Sequence, residues 1–308
     1  MKSSPQLSLI TINWDGKPDL LELADSISKQ TYQDFEWIIV DNGSTDGSVV
    51  AIKQAFPKAQ IIQLDHNYGF AEPNNIAYRA SVGKYLVTLN NDLVLEPDFL
   101  ENLNDYAEKA GDNVYAVGSK MIFYDDRQSI NSIGIVPLPN GNGINLGKND
   151  DPAMYSHAQE IYGPCAGAAL YRRSIIDKIG FFDGSYFAYL EDLDLAHRAK
   201  KKGYQAFYCP TAICYHKHAK TSSRFPFFKL YLIERNRLRN LIKHYPVYMF
   251  ILETPITAWI ILRQLASKKG QSKVSASQKQ YFSLKNVPKI VWIYIKARLS
   301  LIPGNVTK

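Results

Sequence analysis

WIIVDNGSTDGSVVAIKQAF, residues 37–56, carries the reading of the fold. Its first four residues are aromatic or β-branched, and the run stops abruptly at Asp41, as a strand buried on both faces does when it ends in a polar turn. Asn, Gly, Ser and Asp fill that turn, and SVVAIKQAF restarts as a helix. The same unit recurs on both sides. LSLITIN (7–13) reads as a strand closed by Asp15 and Gly16, and a helical pattern follows from Pro18 to about Lys29 with Leu20, Leu21, Leu23 and Ile27 on one side. A third strand near 60–64, a helix over about 73–81 and a fourth strand in YLVTLNND (85–92) continue the alternation. Strands alternating with helices predict a mainly parallel α/β sheet covered by helices on both faces. Ligands of such sheets lie beyond the carboxyl ends of the strands, where the Asp and Asn residues collect here.

The chain has 308 residues, 46% of them apolar, enough to bury a sizeable core without disulfides. Cys165, Cys209 and Cys214 are an odd number without CxxC spacing, so neither a disulfide framework nor a zinc knuckle is expected. The first residues, MKSSPQLSLITINWDG, carry too short an apolar run for a signal peptide, which predicts a cytoplasmic catalytic part. Net charge is +7 but unevenly spread. Ten of the 36 basic residues and none of the 29 acidic ones follow Glu253, so residues 1–253 carry a net −3. The bases of the tail alternate with bulky apolar stretches rather than lining a groove-facing element, which argues against nucleic acid and for an anionic membrane surface. YPVYMFILETPITAWIILRQLA (245–266) is broken by Glu253 and Pro255 and is read as interfacial rather than spanning, as is VPKIVWIYIKARLSLIP (287–303) with Trp292. The alternative for the tail is a packed helical pair or a contact with a second copy of the chain. Residues 130–150, rich in Gly, Asn and Pro, are expected to form a mobile loop near the site, and their glycines do not fit a dinucleotide-binding turn.

Seven segments carry the chemistry: INWDG (12–16), VDNGSTDGS (40–48), NYGFAEPNN (67–75), LNNDLVLEPDFL (89–100), GPCAGAALYRR (163–173), YLEDLDLAHRAKKKGY (189–204) and a later His216. A carboxylate at the end of a buried strand, as Asp41 and Asp92 are, loses hydration and needs a donor or cation to compensate. For Asp41 a turn or N-cap role for the helix at 47 is the competing explanation. In kind, order and spacing the series resembles the family-two inverting glycosyltransferases of the GT-A fold, and among them the bacterial rhamnosyltransferase-like members, over about residues 7–223.

That resemblance implies a GT-A catalytic domain over 1–225, with a nucleotide-sugar half over about 1–125 and an acceptor half over about 126–225, followed by a basic amphipathic helical tail over 226–308. It implies that Asn13, Asp15, Asp41, Asn67, Asn75 and Asn90 bind the nucleotide diphosphate sugar. Asn90-Asn91-Asp92 occupies the place of the family's DxD motif, with Asn for the first Asp, leaving Asp92 and His216 to hold Mg2+ or Mn2+. His218 competes for that role, and Lys220 and Arg224 are candidate phosphate contacts. Glu191-Asp192 matches the ED motif and makes Asp192 the general base, with Asp194 the runner-up, read as a capping or solvated side chain. Arg172 and Arg173 are read as surface charges. The implied reaction is inverting transfer of a sugar, rhamnose from dTDP-rhamnose as the suggested donor, to a lipid-linked glycan on the inner face of the cell membrane. A sugar-phosphate nucleotidyltransferase would show a Gly-rich phosphate loop after the first strand, which INWDGKPD lacks. A catalytically silent nucleotide-sugar binder remains the second alternative, because of Asn90.

Overall fold

A computed structural model describes residues 4–217, 226–253, 255 and 286–301. The chain divides into two compact units, Met1–Pro137 with Gly143–Lys220 (unit 1) and Leu138–Asn142 with Thr221–Lys308 (unit 2).

Unit 1 opens as its sequence predicts: β1 (Leu7–Asn13), α1 (Lys17–Ser28), β2 (Phe35–Asp41), α2 (Ser48–Ala55), β3 (Gln60–Gln63), α3 (Ala71–Ala80) and β4 (Tyr85–Leu89). Residue parity explains why these strands are apolar throughout. Trp37 and Ile39 face α1 and α2 in one core layer, while Ile38 and Val40 face α3 in the other. β5 (Leu93–Leu95), α4 (Phe99–Lys109), β6 (Val114–Phe123), β7 (Ile130–Ser132), β8 (Ile135–Pro137), β9 (Gly143–Asn145) and β10 (Gln159–Ile161) follow. β11 (Ala168–Arg172), α5 (Arg173–Ile179), α6 (Glu191–Lys201) and β12 (Gln205–His216) complete the unit. The main sheet runs β10-β12-β6-β11-β4-β1-β2-β3. β3, β2, β1 and β4 are parallel neighbours, whereas β11 enters antiparallel between β4 and β6.

Two registers decide where the polar side chains meet. Asn13 lies directly beside Asp41, so both strand ends open at one level. β12 breaks register between Tyr208 and Ile213, around Pro210, and its last residues pair with β5 so that His216 faces Leu93, one residue beyond Asp92. The segment 130–150 is not the irregular loop expected. It supplies β7, β8 and β9, and Ile130, Asn131, Ser132 and Ile133 are buried, because β7 pairs with β6 and extends the same hydrophobic layer. Arg172 and Arg173 also depart from expectation. Arg172 donates to the carbonyls of Val114, Ala107 and Ala110 and to the Tyr85 hydroxyl, and Arg173 to the Gly83 carbonyl and Ser81, so both act as half-buried clamps on backbone acceptors.

In unit 2, α7 (Pro226–His244) packs against α8 (Val287–Leu299). The two acids of this unit, Glu234 and Glu253, are both buried. Arg237 forks between them at 2.5 Å to each, and Arg298 reaches Glu253 at 2.7 Å. Glu253 is therefore not an exposed interruption of an interfacial stretch. It is 5% exposed and satisfied by guanidinium groups from two other parts of the unit. Apolar side chains nevertheless remain outside: Val247, Tyr248, Ile251 and Leu252 on one stripe, and Val291, Trp292, Ile295 and Leu299 on α8. Among the described residues no helix is long and apolar enough to cross a membrane. His218, Lys220, Arg224, Trp259 and most of 254–285 lie outside the described residues.

Candidate functional site

The carboxyl ends of β1 and β2 form a hydrogen-bonded polar cluster. Asn13 donates to Asp41 Oδ1 (3.1 Å), Ser44 Oγ (3.2 Å) and Ser48 Oγ (2.9 Å) and accepts from Asn91 Nδ2 (2.9 Å). Asp41 Oδ2 accepts from the Ser44 amide at 3.0 Å, so the turn role considered for Asp41 is present, but it does not cap α2. Asp46 takes the first amide of that helix instead, at 3.0 Å from Ser48 N. Asp15 stands in a left-handed conformation (φ +47°) and accepts from the Thr45 amide at 2.8 Å, joining the first turn to the second. Gly16 is needed here, because a Cβ would come within 2.2 Å of Asn91 Nδ2 and break the Asn13–Asn91 contact.

Asn67 joins the cluster through Asn42, whose amide donates to Asn67 Oδ1 at 3.0 Å and to the Gly69 carbonyl at 2.7 Å. Asn75 is not brought there. Its Nδ2 donates to the Phe182 carbonyl at 2.8 Å and its Oδ1 accepts from the Phe182 amide at 3.2 Å, which makes it a tie between α3 and the loop at 182.

The second group lies where β4 ends. Asp92 Oδ1 is 3.1 Å from His216 Nε2, and Asn90 Nδ2 is 3.5 Å from the same nitrogen. On the far side of the ring, His216 Nδ1 is 3.0 Å from Asn131 Oδ1. A carboxylate and an imidazole nitrogen aimed at one point suit a hard or borderline divalent cation. Among the described residues no group of three or more His, Cys, Asp or Glu could hold a metal ion, so the remaining ligands would have to come from a diphosphate and water. The residues present fit a cation shared with a bound phosphate and do not fit a closed structural metal site. Lys217, next to His216, pairs with Asp19 at 2.8 Å and with Glu22, anchoring the strand end to α1.

The third group is the start of α6. Asp192 Oδ1 accepts from the Leu193 amide at 2.8 Å and Oδ2 from the Ala166 amide at 3.3 Å. Burial pushes its carboxyl above the usual carboxylate range, while these amides pull the other way. Glu191 is pushed well above that range, by burial first and then by the charge of Asp192. Cys165 behind them is pushed up to about 12 by burial and then by Asp192, and is no nucleophile at neutral pH. Asp194 is neither capping nor solvated. It is 0% exposed and bound to Arg198 at 2.8 Å, because the next turn of the helix presents a guanidinium at i+4.

The residues leading into α6 are strained. Phe187, Tyr189 and Leu190 all have positive φ (63°, 72° and 66°), a conformation that side chains with a Cβ rarely adopt. The Phe187 carbonyl accepts from the Phe70 and Ala71 amides at 2.5 and 3.0 Å, so the N-terminus of α3 holds the strained turn in place. NYGF and LED, distant in sequence, are thus one structural unit. The segment 165–167 connects the second and third groups, since the Asn90 amide donates to the Gly167 carbonyl at 2.8 Å and Ala166 contacts Asp192. Sequence reasoning placed Asn42 in the nucleotide loop and Asn91 in the Asn90-Asn91-Asp92 motif without giving their side chains a partner, and it missed Asn131. For Asn42 the turn composition hid a second use of the side chain, and for Asn131 no local signal exists.

Comparison with known proteins agrees with this architecture. The chain is 28% identical over 246 residues to the N-acetylglucosaminyl-diphospho-decaprenol L-rhamnosyltransferase of Mycobacterium tuberculosis, covering 71% of this chain and 78% of that protein. It is 26% identical over 215 residues to the O-antigen biosynthesis protein RfbC of Myxococcus xanthus, covering 66% of this chain but 16% of that much longer one. In fold it is similar to the mannosyltransferase PcManGT from Pyrobaculum calidifontis, solved with GDP-Man and Mn2+, at a TM-score of 0.57 and 16% identity over 97% of this chain and 87% of that one. The architecture is that of the GT-A glycosyltransferases. Residues 8–180 match the glycosyl transferase family 2 model, more than half of the chain, and the chain belongs to that family.

Proposed function

We propose that the chain is an inverting glycosyltransferase that moves a sugar from a nucleoside diphosphate donor to a hydroxyl of a lipid-linked glycan. The observation that carries this reading is the junction at 165–167, where the Gly167 carbonyl accepts from the amide of Asn90, two residues before Asp92, and the Ala166 amide donates to the Asp192 carboxyl. Direct displacement with inversion needs a cationic end for the leaving diphosphate and a base on the opposite face of the sugar. Asp192 accepts the acceptor's proton as the oxygen attacks the anomeric carbon and the diphosphate departs. Mg2+ or Mn2+ held by Asp92 and His216 would neutralise charge growing on the departing diphosphate. Asn13, Asp15, Asp41 and Asn67 line the donor end, with Asn90 between donor and cation, whereas the position of Asn75 favours a supporting role.

Rhamnose from dTDP-rhamnose is the suggested donor and a polyprenyl diphosphate glycan the suggested acceptor, by likeness to the mycobacterial relative. Residues 1–225 would be catalytic, divided near 125 into donor and acceptor halves, and 226–308 would bind the inner face of the cell membrane. The exposed apolar stripes of unit 2, and a surface from which both of its acids are withdrawn, support attachment to anionic lipid.

A panel of dTDP-, UDP- and GDP-sugars, with and without Mn2+, tests the donor reading by thermal protection. A donor at a hundred times its Kd adds about 2.7 kcal/mol of apparent stability. Asp92→Asn should remove the metal-dependent part of that protection and abolish turnover. Full protection and turnover in Asp92→Asn would overturn the metal assignment.

A further inference from the structure

We infer that Asn131 is a positioning residue that selects the tautomer of His216, so that the ring can exchange a hydrogen bond to Asp92 for a cation shared with it; the inference rests on the metal reading above. Asn131 is 1% exposed, in the middle of β7, and its Oδ1 lies 3.0 Å from His216 Nδ1. Its Nδ2 is buried with no hydrogen-bond partner among the described residues. An amide held at one end and without a partner at the other can turn over while keeping its one contact, since oxygen and nitrogen occupy the same two places.

The two orientations impose different protons on the ring. With Oδ1 toward the ring, Nδ1–H donates to it and Nε2 carries a lone pair. That lone pair then faces the Asp92 carboxylate across 3.1 Å, a repulsive arrangement unless a cation lies between them. With Nδ2 toward the ring, Nδ1 becomes the acceptor and Nε2–H donates to Asp92, which suits a site without metal. The exchange between the two arrangements moves one ring proton from Nε2 to Nδ1 through water. Metal-bound histidines depend on such a partner at the second nitrogen, and its loss costs about 10–100-fold in metal affinity.

The experiment measures Mn2+ binding by the electron paramagnetic resonance signal of free Mn2+, alone and with UDP or dTDP, for the full-length chain, Asn131→Leu and Asn131→Asp. Asn131→Leu should weaken Mn2+ binding about 10–100-fold. Asn131→Asp, whose carboxylate accepts from Nδ1–H, should bind close to the wild-type level. Equal affinity in Asn131→Leu and wild type would overturn the inference while leaving the metal reading intact, and a wild type that retains no Mn2+ under any condition would overturn both. Should Asn131→Leu fail to fold, the wild type still decides. Its imidazole 15N signals, assigned to His216 by their loss in His216→Gln, should change from the Nε2–H to the Nδ1–H pattern on adding Mg2+ with UDP or dTDP, and an unchanged tautomer would refute the switch.

Discussion

In unit 1, Asp15, Asp41 and Asp192 are held by backbone amides and the Asn13 side chain, and Asp92 stands beside the His216 ring. In unit 2 both acids, Glu234 and Glu253, are buried against Arg237 and Arg298. The same residue types do different work. A carboxylate held by neutral donors keeps its charge available for a cation or a proton, whereas one matched to a guanidinium has its field neutralised inside the protein. The contrast recurs within a single helix, where Asp192 meets two amides and Asp194, two residues on, meets Arg198.

The sharpest way to break this comparison is to exchange the roles of that pair. Asp192→Asn should lower kcat by roughly 10²–10⁴-fold, the range for loss of a general base, with little change in donor affinity. Asp194→Asn should act the other way, lowering the melting temperature because Arg198 loses its buried partner, with a smaller effect on the chemical step. If steady-state kinetics gave the large kcat loss to Asp194→Asn, the neutral-donor criterion would be wrong.

Next in size is unit 2. Glu253→Ala leaves the buried Arg237 and the half-buried Arg298 with less counter-charge, and removing one partner of the buried Arg237–Glu253 pair costs about 3–5 kcal/mol. Calorimetry of the full-length variant should show a lowered transition while metal-dependent donor binding persists. A transition unchanged from wild type would mean that the ion-pair network contributes little beyond geometry.

Legibility followed the same division. The sheet could be read from residues 7–92 because strand, turn and helix alternate locally, and the parity of Trp37 to Val40 reports burial on both faces. Asn13 and Asp41 could be paired in thought because both end neighbouring strands. What the sequence hid depends on distant partners: Asn131 meets His216 across 85 positions, and Glu253 meets Arg298 across 45. Glu253 looked like a solvated break in an apolar stretch because burial of a charge is decided by the partner. The segment 130–150 looked irregular because its glycines and asparagines are turn formers, yet pairing with β6 overrides composition at Ile130–Ser132.

A smaller effect concerns Glu191. Its carboxyl is raised in the folded chain, so the folded state holds a proton that the unfolded state releases above about pH 4.3, the ordinary glutamate value. The stability from this group is therefore fully present below that pH and is lost as pH rises through the raised folded value. Glu191→Gln cannot lose a proton and should flatten the fall in melting temperature with rising pH. An identical pH dependence in Glu191→Gln and wild type would show that the Glu191 carboxyl is not raised in the folded chain.

The smallest expected effect, and the one that tests what the withdrawn acids of unit 2 leave outside, is on membrane attachment. Each Lys or Arg near an anionic bilayer contributes about 1 kcal/mol, roughly a fivefold change in partitioning. Lys289 and Lys296 flank Trp292 on α8, where Trp292 is 58% exposed. Lys289→Ser and Lys296→Ser should each weaken binding to anionic vesicles by about that factor, more at low salt than at high salt, because the interaction is screened over a Debye length. Trp292→Ser should weaken binding at both salt concentrations, because its contribution is burial of apolar area rather than charge. An α8 face that instead covers a second copy of the chain predicts a different result: the three variants would shift the sedimentation coefficient with protein concentration and leave vesicle co-sedimentation at background. Coulomb attraction and apolar burial respond differently to salt, so the salt series also tells which of them holds the protein on the vesicle.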